Sequence, residues 1–291
     1  MKKTKNLILC LVCASIIAPQ FAAAQTENST GKEYSSGLTG IYQKRRSELF
    51  ASRAWDALFG DLSALNSGIT DFELARLNKK ELRLLRNSVY AKYGHIFNSD
   101  ELTAYFSNFA WYKPAKKVTD KDLTENELKL IERITAFENI NETAAQIKLS
   151  DEKTGIWQVI PVAASGWAER FVFYYDGKMD YLFSQMAQLK MAYEYRGTCE
   201  IKGNALIFSV KEMIFAPPTM DIEKSGALGW EFLTVHPNKI TFENPIVLKF
   251  PLSPIAEENI AAGAEKPYYR KTLKIGSVKY YKCDDNPTNR Y

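Results

Sequence analysis

Residues 171–183 read FVFYYDGKMDYLF. Two aromatic and apolar runs flank Asp176-Gly177. Asp-Gly between such runs is a strong hairpin signal, because a primed turn needs positive φ and glycine adopts it without strain. The stretch predicts two antiparallel strands, Phe171 to Tyr175 and Met179 to Phe183. The same grammar recurs nearby. Gly203-Asn204 separates Cys199-Glu200-Ile201 from Ala205 to Val210, and Pro237-Asn238 separates Glu231 to Val235 from Lys239 to Phe242. Arg270 to Lys282 forms a last run. With no strong helix between these turns, residues 150–291 are expected to form an antiparallel meander, a barrel or a curled sheet. Pro217-Pro218 and Ser253 to Pro267 read as longer loops.

Upstream the period changes from two to about three and a half. Helical patterning runs from Ile41 to about Asn141, giving a helical domain over 41–142. Its best-marked helix spans Lys79 to Tyr93. Asn78 with Glu81 fits a capping pair, Leu82, Leu85 and Val89 share one face, and Gly94 follows where a left-handed stop needs no Cβ. Ser99 opens a short helix, Asp100 to Ser107, with Leu102, Tyr105 and Phe106 apolar. Thr124 and Glu127 form a second capping box ahead of Leu128, Ile131, Ile134 and Phe137. The basic run Lys44-Arg45-Arg46 reads as a solvated helix face. The fold class expected is α+β: a small helical domain followed by an antiparallel β-domain.

The N-terminus carries a different message. Lys2, Lys3 and Lys5 precede the apolar run Leu7 to Pro19 and then Ala22-Ala23-Ala24. That order of charge, apolar stretch and A-x-A site is a cleavable signal peptide over 1–24. The apolar run is 13 residues, short of the roughly 20 that span a bilayer. Leu9 and Val12 precede Cys10 and Cys13, where a lipoprotein signal wants small residues. Residues 25–40 are polar and rich in Ser, Thr and Gly, a flexible leader. The chain is therefore expected in the periplasm or outside the cell, with no transmembrane segment in the mature form. Of the 38 basic and 34 acidic residues, three lysines and no acids lie in 1–24, leaving 35 against 34. So near-neutral a mature chain does not support nucleic acid as a partner. Only Cys199 and Cys283 of the four cysteines survive cleavage, and an oxidising compartment suggests that they pair in one disulfide.

The segment from Leu82 to Pro114 reads LRLLRNSVYAKYGHIFNSDELTAYFSNFAWYKP. It resembles the YARHG domain, a small bacterial extracytoplasmic module, over about residues 77–141. The chain supplies Leu82, Arg83, Arg86, Asn87, Val89, Tyr90, Ala91, Gly94, Phe97, Tyr105, Phe106, Trp111, Tyr112 and Pro114. It departs from the signature at Lys92, where the family has Arg, and at Tyr93, where it has His. The resemblance implies an exported module found beside other exported domains, in peptidase and kinase contexts among others, and it implies no particular activity. In physical terms Arg86, Asn87, Tyr90, Tyr93, Phe97, Trp111 and Tyr112 are candidate ligand-binding residues. Aromatic rings with an Arg and an Asn suit a glycan or peptide. The same residues, spaced by helical turns, suit a staple holding small helices together.

Gly155-Ile156-Trp157, with the hairpin at Asp176-Gly177 and the terminal Ile275 to Tyr281, resembles a lipocalin-like barrel. That implies either a small apolar ligand inside or a solid interior. Catalytic chemistry is sparsely supplied. The chain has two histidines, His95 and His236, and neither a P-loop, a G-x-G-x-x-G nor a G-x-S-x-G. No metal set, cofactor or catalytic residue is assigned, and His95 beside Gly94 reads as a turn residue. Asp284-Asp285 reads as a solvated tail. The function expected is an exported envelope binding or interaction protein. Its partner would be a glycan, a peptide or a protein. The alternative is a carrier of a small apolar ligand, and a hydrolase ranks last.

Overall fold

The computed structural model describes residues 24–26, 53–66, 68–143, 146–147, 149–161, 168–184, 192–215, 238–260 and 269–289. The signal peptide before Ala24, nearly all of the leader, the helical start at Ile41, Lys44 to Arg46, Pro217-Pro218, Glu231 to Val235 and His236 lie outside these residues. The helices are α1 (Arg53–Leu58), α2 (Asp71–Leu74), α3 (Lys79–Ala91), α4 (Asp100–Phe106) and α5 (Glu125–Glu138), with short 3-10 turns at Leu62–Asn66 and Asp120–Asp122. The strands are β1 (Ala24–Thr26), β2 (Gln146–Ile147), β3 (Gly155–Gln158), β4 (Arg170–Phe173), β5 (Lys178–Leu182), β6 (Ala192–Lys202), β7 (Ala205–Phe215), β8 (Asn238–Pro251), β9 (Ala256–Asn259), β10 (Tyr269–Ile275) and β11 (Val278–Asp284).

The capping residues act as the sequence indicates. Asn78 accepts from the Glu81 amide at 3.0 Å while Glu81 accepts back from the Asn78 amide at 2.8 Å. Thr124 and Glu127 do the same at the start of α5. A further box, Thr70 with Glu73, opens α2. Its T-x-x-E spacing is legible in the sequence, but a four-residue helix shows no apolar period to mark it. Leu82, Leu85 and Val89 are buried as expected. On α5 the buried stripe is rotated: Glu127, Leu130, Ile134 and Phe137 face inward, while Leu128 and Ile131 are half-exposed.

The strands form one antiparallel sheet in the order β1-β8-β7-β6-β5-β4-β3-β11-β10-β9, with β2 pairing β6. Asp176-Gly177 makes the expected hairpin between β4 and β5, and Gly203-Asn204 makes that between β6 and β7. Two expectations change. The run Arg270 to Lys282 is broken by Gly276-Ser277 into the β10–β11 hairpin, and the loop Ser253 to Pro267 contains β9. Nor is the sheet a closed lipocalin-like barrel. It curls until the end of β8 meets β10 through a single bridge, Leu252 with Ile275.

Helix α2 fills the gap where a ladder would close the barrel. The Lys249 amide of β8 donates to the Ala75 carbonyl at 2.9 Å. Asp71 accepts from the Ser277 amide and hydroxyl at 2.6 and 2.8 Å. Gly276 sits at φ +66°, and a Cβ there would collide with the Asp71 carboxylate, so both conformation and space require glycine. The other Asp71 oxygen accepts from Arg133 of α5 at 2.6 Å. Phe72 packs against Tyr181, Phe250, Tyr195, Phe183 and Phe171, with ring centroids 4.6–6.5 Å apart. The helices and the inner face of the sheet therefore share one hydrophobic core. Trp157 of the G-x-W motif lies fully buried in it and donates to the Lys153 carbonyl at 2.7 Å.

Candidate functional site

The seven candidate binding residues divide between two places. Four lie along α3 and its end. The Arg86 guanidinium reaches Glu138 of α5 at 2.7 Å. The Asn87 amide donates to the Arg83 carbonyl one turn back at 2.7 Å. The Tyr90 hydroxyl donates to Asp120 at 3.0 Å, and that of Tyr93 donates to Glu127 at 3.1 and 3.0 Å. All four are turned to partners within the helical module, three of them across to α5 or the turn before it.

The other three belong to a small separate core around α4. Phe97 stacks on Phe106 with centroids 5.0 Å apart. Trp111 stacks on Phe109 at 5.2 Å. Tyr112 is buried and donates to the His95 carbonyl at 2.7 Å. The structure thus does not gather the seven into one pocket. Every ring or charged head among them has a partner inside the module.

Glu127 is the centre of the first group. It is 4% exposed and accepts from Lys92 Nζ at 2.9 Å, from Tyr93, and from the Thr124 amide and hydroxyl at 2.9 and 2.8 Å. Burial alone would raise its pKa, but the bonds from Lys92, Thr124 and Tyr93 outweigh burial and hold it at about 2, since hydrogen bonds to the charged form favour it. Burial and the neighbouring Glu127 carboxylate push the Tyr93 phenol up, which keeps it a donor. Gly94 at φ +74° then turns the chain under the Lys113 carbonyl, where any Cβ would clash. The Ala115 and Lys116 amides donate to the Gly94 carbonyl, and the Ile96 amide donates to that of Lys116. His95 accepts from the Val118 amide through Nδ1 at 2.9 Å, the turn role that its position indicates.

Residues 60–139 match the YARHG domain. No curated protein and no solved structure matches the chain. The signature of the YARHG domain is thereby placed on the structure, and its two departures find a shared explanation. Lys92 keeps a cation and Tyr93 keeps a donor, and both end on Glu127. The domain is typically found in exported proteins. No helix among the described residues is long and apolar enough to cross a membrane.

The Cys199–Cys283 disulfide is not formed; both thiols are free. Cys199 lies on β6 and Cys283 on β11, with β5, β4 and β3 between them. Four strand steps of roughly 4.8 Å exceed the ~7 Å Cα separation that a disulfide bridges. Burial pushes the Cys199 thiol up to about 12 and raises that of Cys283 as well. Sequence spacing could not show which strands intervene.

One polar cluster was not legible in the sequence. Asp180 lies between Met179 and Tyr181, which point into the core, so it sits on the opposite face of the sheet. There Arg170, Asp180 and Glu194 are 3–6% exposed. Tyr174 donates to Asp180 at 2.8 Å, and Arg196 pairs with Glu194 at 2.9 Å. Alternating charges in a strand read as a solvated face, so the sequence gives no sign of their burial. Among the described residues no group of three His, Cys, Asp or Glu side chains is arranged to hold a metal ion. Asp284 ends β11 and accepts from Asn286 and Asn289, while Asp285 is solvated as expected, 90% exposed, and pairs with Lys282 at 2.6 Å.

Proposed function

We propose that this is an exported binding or interaction protein of the cell envelope, in which the YARHG domain is a rigid platform. One observation carries the reading. The polar signature side chains spend their hydrogen bonds inside the module, on Glu138, Asp120 and Glu127. A domain organised this way presents a fixed outer surface for contact, because its supporting side chains have no freedom left. The inner face of the sheet supports the same reading. Trp157, Phe171, Phe173, Tyr181, Phe208 and Phe250 are fully buried against one another and the helices, a packing that favours a solid interior over a ligand carrier.

The test is cosedimentation of the purified full chain with isolated envelopes of its host. The expected result is saturable retention in the pellet, abolished by protease treatment of the chain. Full recovery in the supernatant at every envelope concentration overturns the reading. Export is tested separately: the protein recovered from the host is expected to begin at Gln25, and an intact Met1 terminus in the cytosolic fraction would overturn it.

A further inference from the structure

We propose that the loop Lys113–Lys121 is the docking surface of the YARHG domain for an acidic polysaccharide of the envelope. This rests on the envelope-binding reading and names the chemistry of the partner. The loop reads KPAKKVTDK, four lysines against one acid. Lys113, Lys116, Lys117 and Lys121 are all exposed. Lys116 is paired with Asp122 at 2.6 Å. Lys113, Lys117 and Lys121 have no ion pair among the described residues. Two acids lie in or beside the loop, Asp120, which accepts from Tyr90, and Asp122, which pairs with Lys116, so four lysines stand against two carboxylates. Positive charge therefore collects here although the chain beyond its first 24 residues is nearly neutral, with 35 basic and 34 acidic residues.

The loop is also held in place. Backbone bonds tie Ala115 and Lys116 to Gly94 and Ile96, and the Val118 amide donates to the His95 ring. Lys113 and Lys117 are four residues apart, at most roughly 14 Å along the chain. That is comparable to the screening length of about 10 Å at moderate salt, so neighbouring lysines reinforce one another toward a partner with repeated charges. A single small anion would need a converging pocket instead. Single-stranded nucleic acid would need free stacking rings beside the cations, whereas Phe97 and Trp111 are stacked on Phe106 and Phe109 and Tyr112 is buried. An anionic membrane would attract the same lysines, but seating in its interface is reinforced by a broad apolar face beside the charges, and among the described residues the exposed large apolar residue bonded to this loop is Ile96 alone, at 43%.

The experiment measures retention of the full chain on immobilised polygalacturonate at low and high salt, with neutral dextran as the reference. The variants are the triple Lys113→Gln, Lys117→Gln, Lys121→Gln and an equal-charge control, Lys79→Gln, Lys211→Gln, Lys274→Gln. Circular dichroism checks that both are folded. The expected result is retention on polygalacturonate only, weakened at least about tenfold in the loop triple, changed less than about twofold in the control, and lost at high salt. Equal retention of wild type and loop triple overturns the proposal. So does equal loss in the control, or tighter loop-dependent binding to single-stranded DNA or to phosphatidylglycerol vesicles. If the chain sediments with envelopes yet ignores polygalacturonate, the loop proposal fails and the envelope reading stands. If it sediments with nothing, the envelope reading itself fails.

Discussion

The Tyr93 hydroxyl, two residues past the end of α3, donates to the carboxylate of Glu127 in the first turn of α5, at 3.1 and 3.0 Å from its two oxygens. The same carboxylate caps α5 and pairs with Lys92. One buried side chain therefore sets the start of α5 and its attachment to α3.

Glu127 should make the protein sensitive to acid. Its pKa is held at about 2 in the folded protein, against 4.5 for an unperturbed glutamate. A depressed carboxylate contributes stability that is present above pH about 4.5 and lost as pH falls toward 2. Lys92 is one quarter exposed, so solvent screening reduces the contribution to on the order of 1–2 kcal/mol. Urea unfolding at pH 7 and pH 3 should show this loss. Glu127→Gln should flatten the dependence while lowering stability at pH 7. An unchanged pH dependence in that variant would exclude the role assigned to Glu127.

Asp71 should couple the helices to the sheet. It is the joint acceptor for Arg133 and for the β10–β11 turn. Asp71→Ala removes both bonds and strands a partly buried guanidinium, and a loss of about 3 kcal/mol is expected. Gly276→Ala should lose about as much, since its Cβ has nowhere to go. In both variants the transitions followed by tryptophan fluorescence and by circular dichroism should separate. Coincident transitions at wild-type stability would count against the coupling.

Phe72 gives a test of the solid interior. Phe72→Ala removes a ring that touches five others, and about 2–4 kcal/mol should be lost. The variant should bind a fluorescent apolar dye that the wild type does not. Stoichiometric dye binding by the wild type would instead favour the carrier.

The two free thiols should be silent in the native state. With burial holding Cys199 at about 12, the reactive thiolate is scarce at neutral pH. Two thiols should appear in a thiol assay only on unfolding, and reductant should leave the melting temperature unchanged. An intact mass two hydrogens short would establish a disulfide.

Residue order alone was enough for much of the local structure and for the module's family. Capping boxes at Asn78 and Thr124, the stop at Gly94 and the turns at Asp176-Gly177 and Gly203-Asn204 are decided within a few residues, because caps and tight turns depend on neighbouring backbone and side-chain chemistry. Residues 171–183 form their hairpin for that reason. The tertiary structure decided what depends on distant segments meeting. It separated Cys199 from Cys283 by three strands, left the barrel open, and put α2 in the gap with Asp71 on Ser277. It also divided the candidate binding residues between α3 with its end, facing α5, and the small core around α4. Those outcomes turn on the order of strands and the docking of helices, and such non-local pairings leave no fixed spacing in the chain.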